Sequence, residues 1–113
     1  MSYGKRDEQM LREMAKHIDV LNKELSQLTF DQFVELEMVK RGTVMTFVVI
    51  GELANKLSKD FVNVYSEFPI RKIIGLRNVA AHEYGKINFE LIWDTYKKSL
   101  PTLKKQIIEL LGK

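Results

Sequence analysis

The stretch GLRNVAAHEYG, residues 75–85, brings together side chains that can hold a phosphate or move a proton. They are Arg77, Asn78, His82, Glu83 and Tyr84. The guanidinium of Arg77 combines a permanent charge with a planar set of donors, which suits a phosphate or the charge that develops on it in a transition state. His82 could take the proton of a ribose 2′-hydroxyl, so that the ribose oxygen attacks the adjacent phosphorus. These two residues could therefore cleave RNA without a metal ion.

The spacing of Arg77 and His82 limits how they can act together. Five residues at 100° each place the two side chains about 140° apart on an ideal α-helix, so they cannot share one face. We therefore expect the helix to end or loosen near Ala81, with Gly85 as its terminator, or the site to be assembled from two copies of the chain. At the C-terminal end of a helix, the macrodipole favours imidazolium and raises the pKa of His82 toward or past neutrality.

A purely structural explanation fits the same residues. His82 and Tyr84 could cap the helix and pack against the next one, while Arg77 pairs with a carboxylate. Glu52 follows Gly51 inside an apolar helix, and we expect a buried carboxylate there. It is either a satisfied core acid or a group that orients Arg77 or His82. Spacing alone leaves these alternatives open.

The charge distribution favours an anionic partner only locally. The chain has 18 basic and 15 acidic residues, a net charge of +3. The stretch 69–86 carries Arg71, Lys72, Arg77 and Lys86 against Glu83, which gives 4 − 1 = +3 and leaves 14 basic and 14 acidic residues elsewhere. A local positive field attracts anions such as phosphate, so Arg71 and Lys72 are candidate substrate-binding residues. Solvated charges with no partner explain them equally well.

Composition argues against several classes of site and location. The chain has no cysteine, which excludes disulfides and thiolate metal sites and fits a reducing compartment such as the cytoplasm. His17 and His82 form no His-x-x-x-His or Glu-x-x-His pair, and no phosphate-cradling glycine loop is present, so we expect neither a metal nor a cofactor. The longest nearly apolar run, residues 44–50, is far shorter than the roughly 20 residues that cross a bilayer, so we expect no membrane span. We also expect no secretory signal at the N-terminus.

Hydrophobic spacing predicts an all-α fold, with residues 1–113 as a single domain. Apolar residues recur at intervals of three and four, which is the helical period, in three segments. These stripes are Leu11, Met14, Ile18, Leu21, Leu25 and Leu28; Phe33, Leu36, Val39, Thr43, Phe47, Ile50, Ala54 and Leu57; and Phe89, Trp93, Tyr96, Leu100, Leu103, Ile107 and Leu110. Another helix is expected over about residues 69–81, after a long connection at 62–69. We expect an up-and-down four-helix bundle whose last helix is kinked or split at Pro101.

Local signals predict where these helices begin. Thr29 and Gln32 have the spacing of a capping box at the start of the second helix. Pro69 suits the first turn of the third helix, and Asn88 can cap the fourth. Gly42 could make the second helix irregular, because glycine in a helix interior costs about 1 kcal/mol relative to alanine.

The middle of the second helix predicts association with another copy. The run VMTFVVIG, residues 44–51, is apolar nearly all round the helix, so one buried face cannot account for it. A small domain also gains from covering exposed surface by oligomerisation. We expect this run to face a second subunit, and a charge at Phe47 or Val48 to dissociate or unfold the protein.

These features together resemble the HepT-like ribonuclease toxins of the HEPN superfamily. Arg77, four residues, His82, one residue and Tyr84, set in LRNVAAHEYG, look like the signature of that family. The segment VIGELANKLS, residues 49–58, resembles the family's Ile-Gly-Glu-Ala segment. With IWDTYKKSLPTL, residues 92–103, and a short N-terminal helix, the resemblance covers essentially the whole chain.

The resemblance implies an α-helical homodimer whose motif-bearing helices line one cleft, with Arg77 and His82 as the catalytic pair of a metal-independent RNase. It also implies a nucleotidyltransferase antitoxin of the MntA type, which transfers AMP to the motif tyrosine, here Tyr84, and silences the toxin. AMP would add bulk and phosphate charge beside the cationic cleft and compete there with RNA. The supporting or substrate-binding residues of this site would be Asn78, Glu52, Arg71 and Lys72.

Two departures from the family pattern keep an alternative open. Many relatives have an aromatic residue where this chain has Ile70, and a basic residue near the position of Met45. Either loss could weaken RNA binding. The alternative is a non-catalytic member that binds nucleotides or docks with a nucleotidyltransferase.

Overall fold

Seven α-helices, a 3₁₀ turn and a π-helical turn make up the part of the chain that the computed structural model describes, residues 4–80 and 84–112. The α-helices are α1 (Lys5–Leu25), α2 (Phe30–Glu35), α3 (Glu37–Asn55), α4 (Lys59–Val64), α5 (Ile70–Ala80), α6 (Phe89–Asp94) and α7 (Leu100–Leu111). The 3₁₀ turn covers Tyr84–Lys86, and the π-helical turn covers Thr95–Ser99. Because α6, the π turn and α7 follow one another without a gap, we call them together the last helix.

The predicted all-α bundle is confirmed, with α1, α3, α5 and the last helix as its four long units. Helix α1 packs against α3 and α7, and α5 packs principally against α3. Lys104 contacts Asp19, and the Tyr96 hydroxyl donates to Asn22 Oδ1 at 3.3 Å, so α1 and the last helix run antiparallel.

The opposite end of α1 is tied to the end of α3 by a buried carboxylate. Asp7 is 3% exposed and accepts hydrogen bonds from the backbone N–H of Ser58 at 2.8 Å and from its hydroxyl at 2.6 Å. Hydrogen bonds to a charged group are about twice as strong as neutral ones. The start of α1 is therefore fixed beside the chain that leaves α3, and these two helices also run antiparallel.

The predicted apolar stripes form the core. The residues that are no more than 2% exposed include Leu11, Met14, Phe33, Phe47, Ile50, Ile92, Leu100 and Ile107. Burying each such side chain contributes about 1.5–3 kcal/mol relative to leaving it in water. Within the described ranges, no helix is both long enough and apolar enough to cross a bilayer.

The predicted second helix is two helices that meet at Leu36. The capping box at its start is confirmed, since Thr29 Oγ1 accepts from Gln32 N at 3.1 Å and Gln32 Oε1 accepts from Thr29 N at 2.9 Å. The break at Leu36 leaves this side chain 42% exposed, so its assignment to the core was wrong. Separating α2 from α3 lets Phe33 pack on Trp93, with ring centroids 5.0 Å apart, while α3 packs on α1 and α5. Gly42, where we expected irregularity, lies inside the regular α3.

The connection that precedes α5 contains a short helix that the sequence prediction missed. In α4, the Ser58 hydroxyl accepts from Phe61 N at 3.0 Å, and the Phe61 side chain is fully buried. Pro69 lies immediately before α5, and its carbonyl accepts from Ile73 N at 3.0 Å. The connection is thus anchored to the core before α5 begins.

The last helix is continuous and changes from α to π form just before Pro101, where a kink or split was expected. Asn88 caps its start, because Asn88 Oδ1 accepts from Leu91 N at 3.1 Å. Pro101 has no N–H to donate one turn back, and its ring crowds the carbonyl of Lys97. The helix widens just before this proline, where the Leu100 N–H bonds to the carbonyl of Thr95, five residues earlier.

Candidate functional site

Arg77 is held where α5 comes closest to α3. Gly51 of α3 is buried against it, and a Cβ built on Gly51 would lie 2.5 Å from Arg77 Cβ and 3.1 Å from Arg77 N. Two Cβ atoms do not approach each other as closely as 2.5 Å, so only glycine permits this contact without a shift of the helices. The backbone of Arg77 therefore has a fixed position on α3, and its side chain starts from that point.

The guanidinium of Arg77 is oriented by the residue that follows Gly51. Arg77 Nη1 donates to Glu52 Oε1 at 3.2 Å, so Arg77 pairs with a carboxylate, as one of the open alternatives expected. The prediction that Glu52 is buried was wrong, because its side chain is 48% exposed and that of Arg77 is 29% exposed. Exposed ion pairs contribute only about 0–1 kcal/mol to stability. The pair therefore positions a solvent-accessible cation more than it stabilises the fold.

The helix changes its form before the tyrosine of the motif. Helix α5 is described to Ala80, and Tyr84–Lys86 is a 3₁₀ turn, so the α-helix does not continue through to Tyr84. The expected end of the helix near Ala81 lies outside the described residues. Gly85 lies in the 3₁₀ turn, and since no described residue has a positive φ, it does not form a left-handed cap. Residues 81–83, which include His82, lie outside the described residues, as does the side chain of Tyr84.

The other predicted site residues do not join Arg77 directly. Asn78, Arg71 and Lys72 are all exposed on α5. At 100° per residue, Asn78 points about 100° away from Arg77, Arg71 about 120° and Lys72 about 140°. Lys72 instead lines a groove on the other flank of the helix. The structure thus brings together Arg77 and Glu52, and it distributes the remaining polar residues around α5.

One face of α3, with exposed methionines and a half-buried Val49, runs up to Glu52. Met38, Gly42, Met45 and Val49 recur at intervals of three and four, and Glu52 continues the same face. Met38 is 78% exposed and Met45 is 61% exposed. We call Met38, Gly42, Met45 and Val49 the α3 stripe. Contiguous exposed apolar surface of this kind is typical of an interface.

The core contacts correct one expectation about the apolar run 44–51. Phe47 is 1% exposed and lies within the core of its own chain, so a charge there would unfold the monomer and would not report on association. Val48 is half-buried, whereas Met45 projects into solvent.

Among residues 4–80 and 84–112, no cluster of three or more His, Asp or Glu side chains could hold a metal ion.

Comparison with known proteins gives one consistent match. A family model described as ribonuclease HepT-like matches residues 14–110. A protein from Caldanaerobacter subterraneus subsp. tengcongensis that is named as a candidate RNase is 32% identical over 91% of this chain and 92% of its own length. Another candidate RNase, from Methanocaldococcus jannaschii, is 32% identical over 90% of this chain and 81% of its own length. "Probable ribonuclease HepT" from Thermococcus cleftensis is 23% identical over 88% of this chain and 91% of its own. No solved structure gives a significant match.

Replacing Gly51 by alanine should push α5 away from α3. The added Cβ meets the Cβ of Arg77, which is fixed to the backbone and cannot rotate aside, so we expect a loss of about 1–3 kcal/mol in the free energy of unfolding. Urea denaturation measures this change. Gly75→Ala is the matched control, because a Cβ at Gly75 meets nothing within 4 Å and should raise stability by up to about 1 kcal/mol. Equal stability of Gly51→Ala and the wild type would show that the close contact does not exist.

Proposed function

We propose, from the premise that this chain belongs to the HepT-like ribonuclease family of the HEPN superfamily, that it is an RNA endonuclease that uses Arg77 and His82 and needs no metal ion. The observation that carries the proposal is the placement of Arg77. Its backbone is pinned against Gly51, and its guanidinium is turned by Glu52 while remaining accessible to solvent. A cation fixed in this way is prepared to bind a phosphate before the substrate arrives.

The proposed reaction is an internal attack within the RNA. His82 accepts the proton of a 2′-hydroxyl, the 2′ oxygen bonds to the adjacent phosphorus, and the bond from phosphorus to the 5′ oxygen of the next nucleotide breaks. That 5′ oxygen takes up a proton as it leaves. Arg77 stabilises the additional negative charge on the phosphorane oxygens through charge-assisted hydrogen bonds. The products are a 2′,3′-cyclic phosphate and a 5′-hydroxyl.

We propose that two copies of the chain form the active species. The α3 stripe supports this, because its two methionines are exposed and because it leads directly to the Glu52–Arg77 pair. Gly42, in the middle of the stripe, has open space around it, so a second helix could approach α3 closely there. A second copy packed on this face would place its own motif near that of the first. Two histidines would then be available, one to accept a proton and one to donate it.

We propose in addition that the chain is the toxin of a toxin–antitoxin pair and that Tyr84 is its regulatory position. The backbone of Tyr84 begins the 3₁₀ turn that follows α5, close in sequence to Arg77 and His82. A nucleotidyltransferase antitoxin of the MntA type would let the Tyr84 oxygen attack the α-phosphorus of ATP, with pyrophosphate leaving. The attached AMP carries a negative phosphate, which would occupy the cation that RNA needs.

RNA cleavage should depend on both members of the catalytic pair. In EDTA, the wild type should cleave a mixed-sequence RNA, and His82→Ala and Arg77→Ala should each lower the rate by about 10²–10⁴-fold. His17→Ala removes the other histidine of the chain, on α1, and should cleave as the wild type does. Equal rates for His82→Ala and the wild type would rule out the catalytic assignment. The non-catalytic alternative would be supported if the wild type cleaves no RNA and the Arg77→Ala variant loses binding to the nucleotidyltransferase.

A charge on the α3 stripe should separate the two copies. Met45→Glu places a carboxylate on an exposed residue, so the monomer should keep its helical content and stability while sedimentation shows half the wild-type mass. RNA cleavage should fall with the loss of the dimer. Val64→Glu is the matched control, since Val64 is 53% exposed on α4, outside the stripe. A wild type that sediments as a monomer, or a Met45→Glu variant that remains dimeric, would refute this interface.

Modification should be confined to the motif tyrosine. With the cognate nucleotidyltransferase and ATP, intact-mass spectrometry should show one or more added AMP groups on the wild type and none on Tyr84→Phe. Tyr65→Phe, which changes a tyrosine beside α4, should be modified as the wild type is. Modified wild type should lose RNA cleavage. Transfer of AMP to Tyr84→Phe at the wild-type level would show that another residue is the acceptor.

A further inference from the structure

A groove of about 330 Å³ lies between α5 and the last helix, on the flank of α5 that does not pack against α3. Its floor is apolar and is made by Phe47, Ile73, Ile92, Leu100 and Leu103. Its rim carries Lys72 from α5 and two hydroxyl groups, those of Thr95 and Ser99, from the last helix. This volume is near the lower end of the range of small-molecule sites, about 300–1,000 Å³, which combine an apolar lining with a few polar groups.

Gly75 keeps the α5 wall of this groove open. It lies inside α5, where glycine costs about 1 kcal/mol relative to alanine. No positive φ requires it, and a Cβ at this position would meet no atom within 4 Å, so crowding does not require it either. Gly51 is the opposite case, because there the neighbouring helix leaves no room. The space that a side chain at Gly75 would fill belongs to the groove.

The opposite wall is formed by an unusual piece of helix. Thr95 and Ser99 are the first and last residues of the π turn, and both line the groove. Single π turns within α-helices occur frequently at functional sites. The Thr95 hydroxyl donates to the carbonyl of Leu91 at 2.7 Å, so its oxygen can still accept a hydrogen bond from a ligand. The groove is therefore lined by two local features. One is a glycine that neither the backbone conformation nor crowding requires, and the other is a π turn.

The polar groups of the lining select the chemistry of a ligand. Lys72 provides a cation at the rim, its neighbour Arg71 is also exposed, and none of the described residues that line the groove is a carboxylate. An anionic group is therefore favoured at this end. The apolar floor suits an aromatic ring, and the hydroxyls suit the polar edge of such a ring. An alkyl chain would leave both hydroxyls unused, whereas a nucleotide has a planar base, polar base edges and a phosphate.

The groove lies on the side of α5 that faces away from Arg77. Gly75 and Arg77 are two residues apart on α5, which places their side chains about 160° apart around the helix axis. A helix with its side chains is about 10–12 Å across, so a nucleotide in the groove lies roughly one helix diameter from a phosphate that Arg77 holds. RNA that reaches both places must cross α5.

We infer that this groove, walled by Gly75, Thr95 and Ser99, binds one nucleotide of the RNA substrate at a distance from the cleaved bond, an inference that rests on the proposed ribonuclease function. The base packs on the apolar floor, and Lys72 holds its phosphate. Such a site contributes to substrate binding and takes no part in the chemical step. RNA that is long enough to cross α5 should therefore bind more tightly than a short substrate that does not reach the groove.

Filling the groove tests this site without breaking the fold. Gly75→Met improves helix propensity and extends a side chain into open space, so the variant should fold. For an oligonucleotide of about ten nucleotides, KM should rise roughly tenfold with kcat unchanged, because stacking of one base is lost. For a dinucleotide, which cannot reach the groove, both constants should equal those of the wild type. Gly75→Ala, which leaves most of the volume empty, should resemble the wild type on both substrates.

Binding to the groove can be observed directly in His82→Ala protein, which should leave RNA intact. The amide NMR signals of Gly75, Thr95 and Ser99 should shift on addition of the oligonucleotide, and Gly75→Met should abolish the shifts. An unchanged KM in Gly75→Met, an equal loss on both substrates, or shifts produced by free mononucleotides and not by the oligonucleotide would each overturn the inference. If the wild type cleaves no RNA, the proposed ribonuclease function is refuted. The amide shifts then show, without any cleavage assay, whether the groove binds the oligonucleotide.

Discussion

The contact between Gly51 and Arg77 is the constraint on which the rest of the candidate site depends. Helix α5 packs principally on α3, and the two helices touch through the backbone where a glycine faces an arginine. Any larger residue at position 51 would move α5 outward together with Arg77. The next residue, Glu52, then turns the guanidinium. Two consecutive positions of α3 thus set both the place and the direction of the cation proposed to bind phosphate.

The same arrangement explains why the surfaces around Arg77 remain open. Since α5 is anchored on α3, its opposite flank need not be packed, and there it borders the groove lined by Gly75 and the π turn. The outward side of α3 carries Met38 and Met45, which the monomer leaves exposed. The pair of α3 and α5 therefore holds Arg77 between two surfaces that the monomer leaves open. One surface is suited to a second copy of the chain, and the other to a remote part of the substrate.

Much of the fold could be predicted from hydrophobic spacing and helix caps, because buried stripes and cap hydrogen bonds are local properties of a sequence. Thr29, Asn88 and Pro101 mark helix boundaries for this reason. The break at Leu36 depends on which helices lie opposite, and spacing does not contain that information. The exposure of Glu52 escaped prediction for the same reason. Gly51, beside Glu52, was visible as a glycine within an apolar helix, yet only the position of α5 shows why it is there.

The chemical form of the RNA ends tests the central claim most directly. If Arg77 and His82 drive an internal attack, mass spectrometry of RNA cleaved in EDTA should find 2′,3′-cyclic phosphates at the upstream ends and 5′-hydroxyls at the downstream ends. The account would be contradicted if cleavage required a divalent metal, or if the products carried 3′-hydroxyl and 5′-phosphate ends. In that case a water molecule, and not the ribose oxygen, would be the nucleophile.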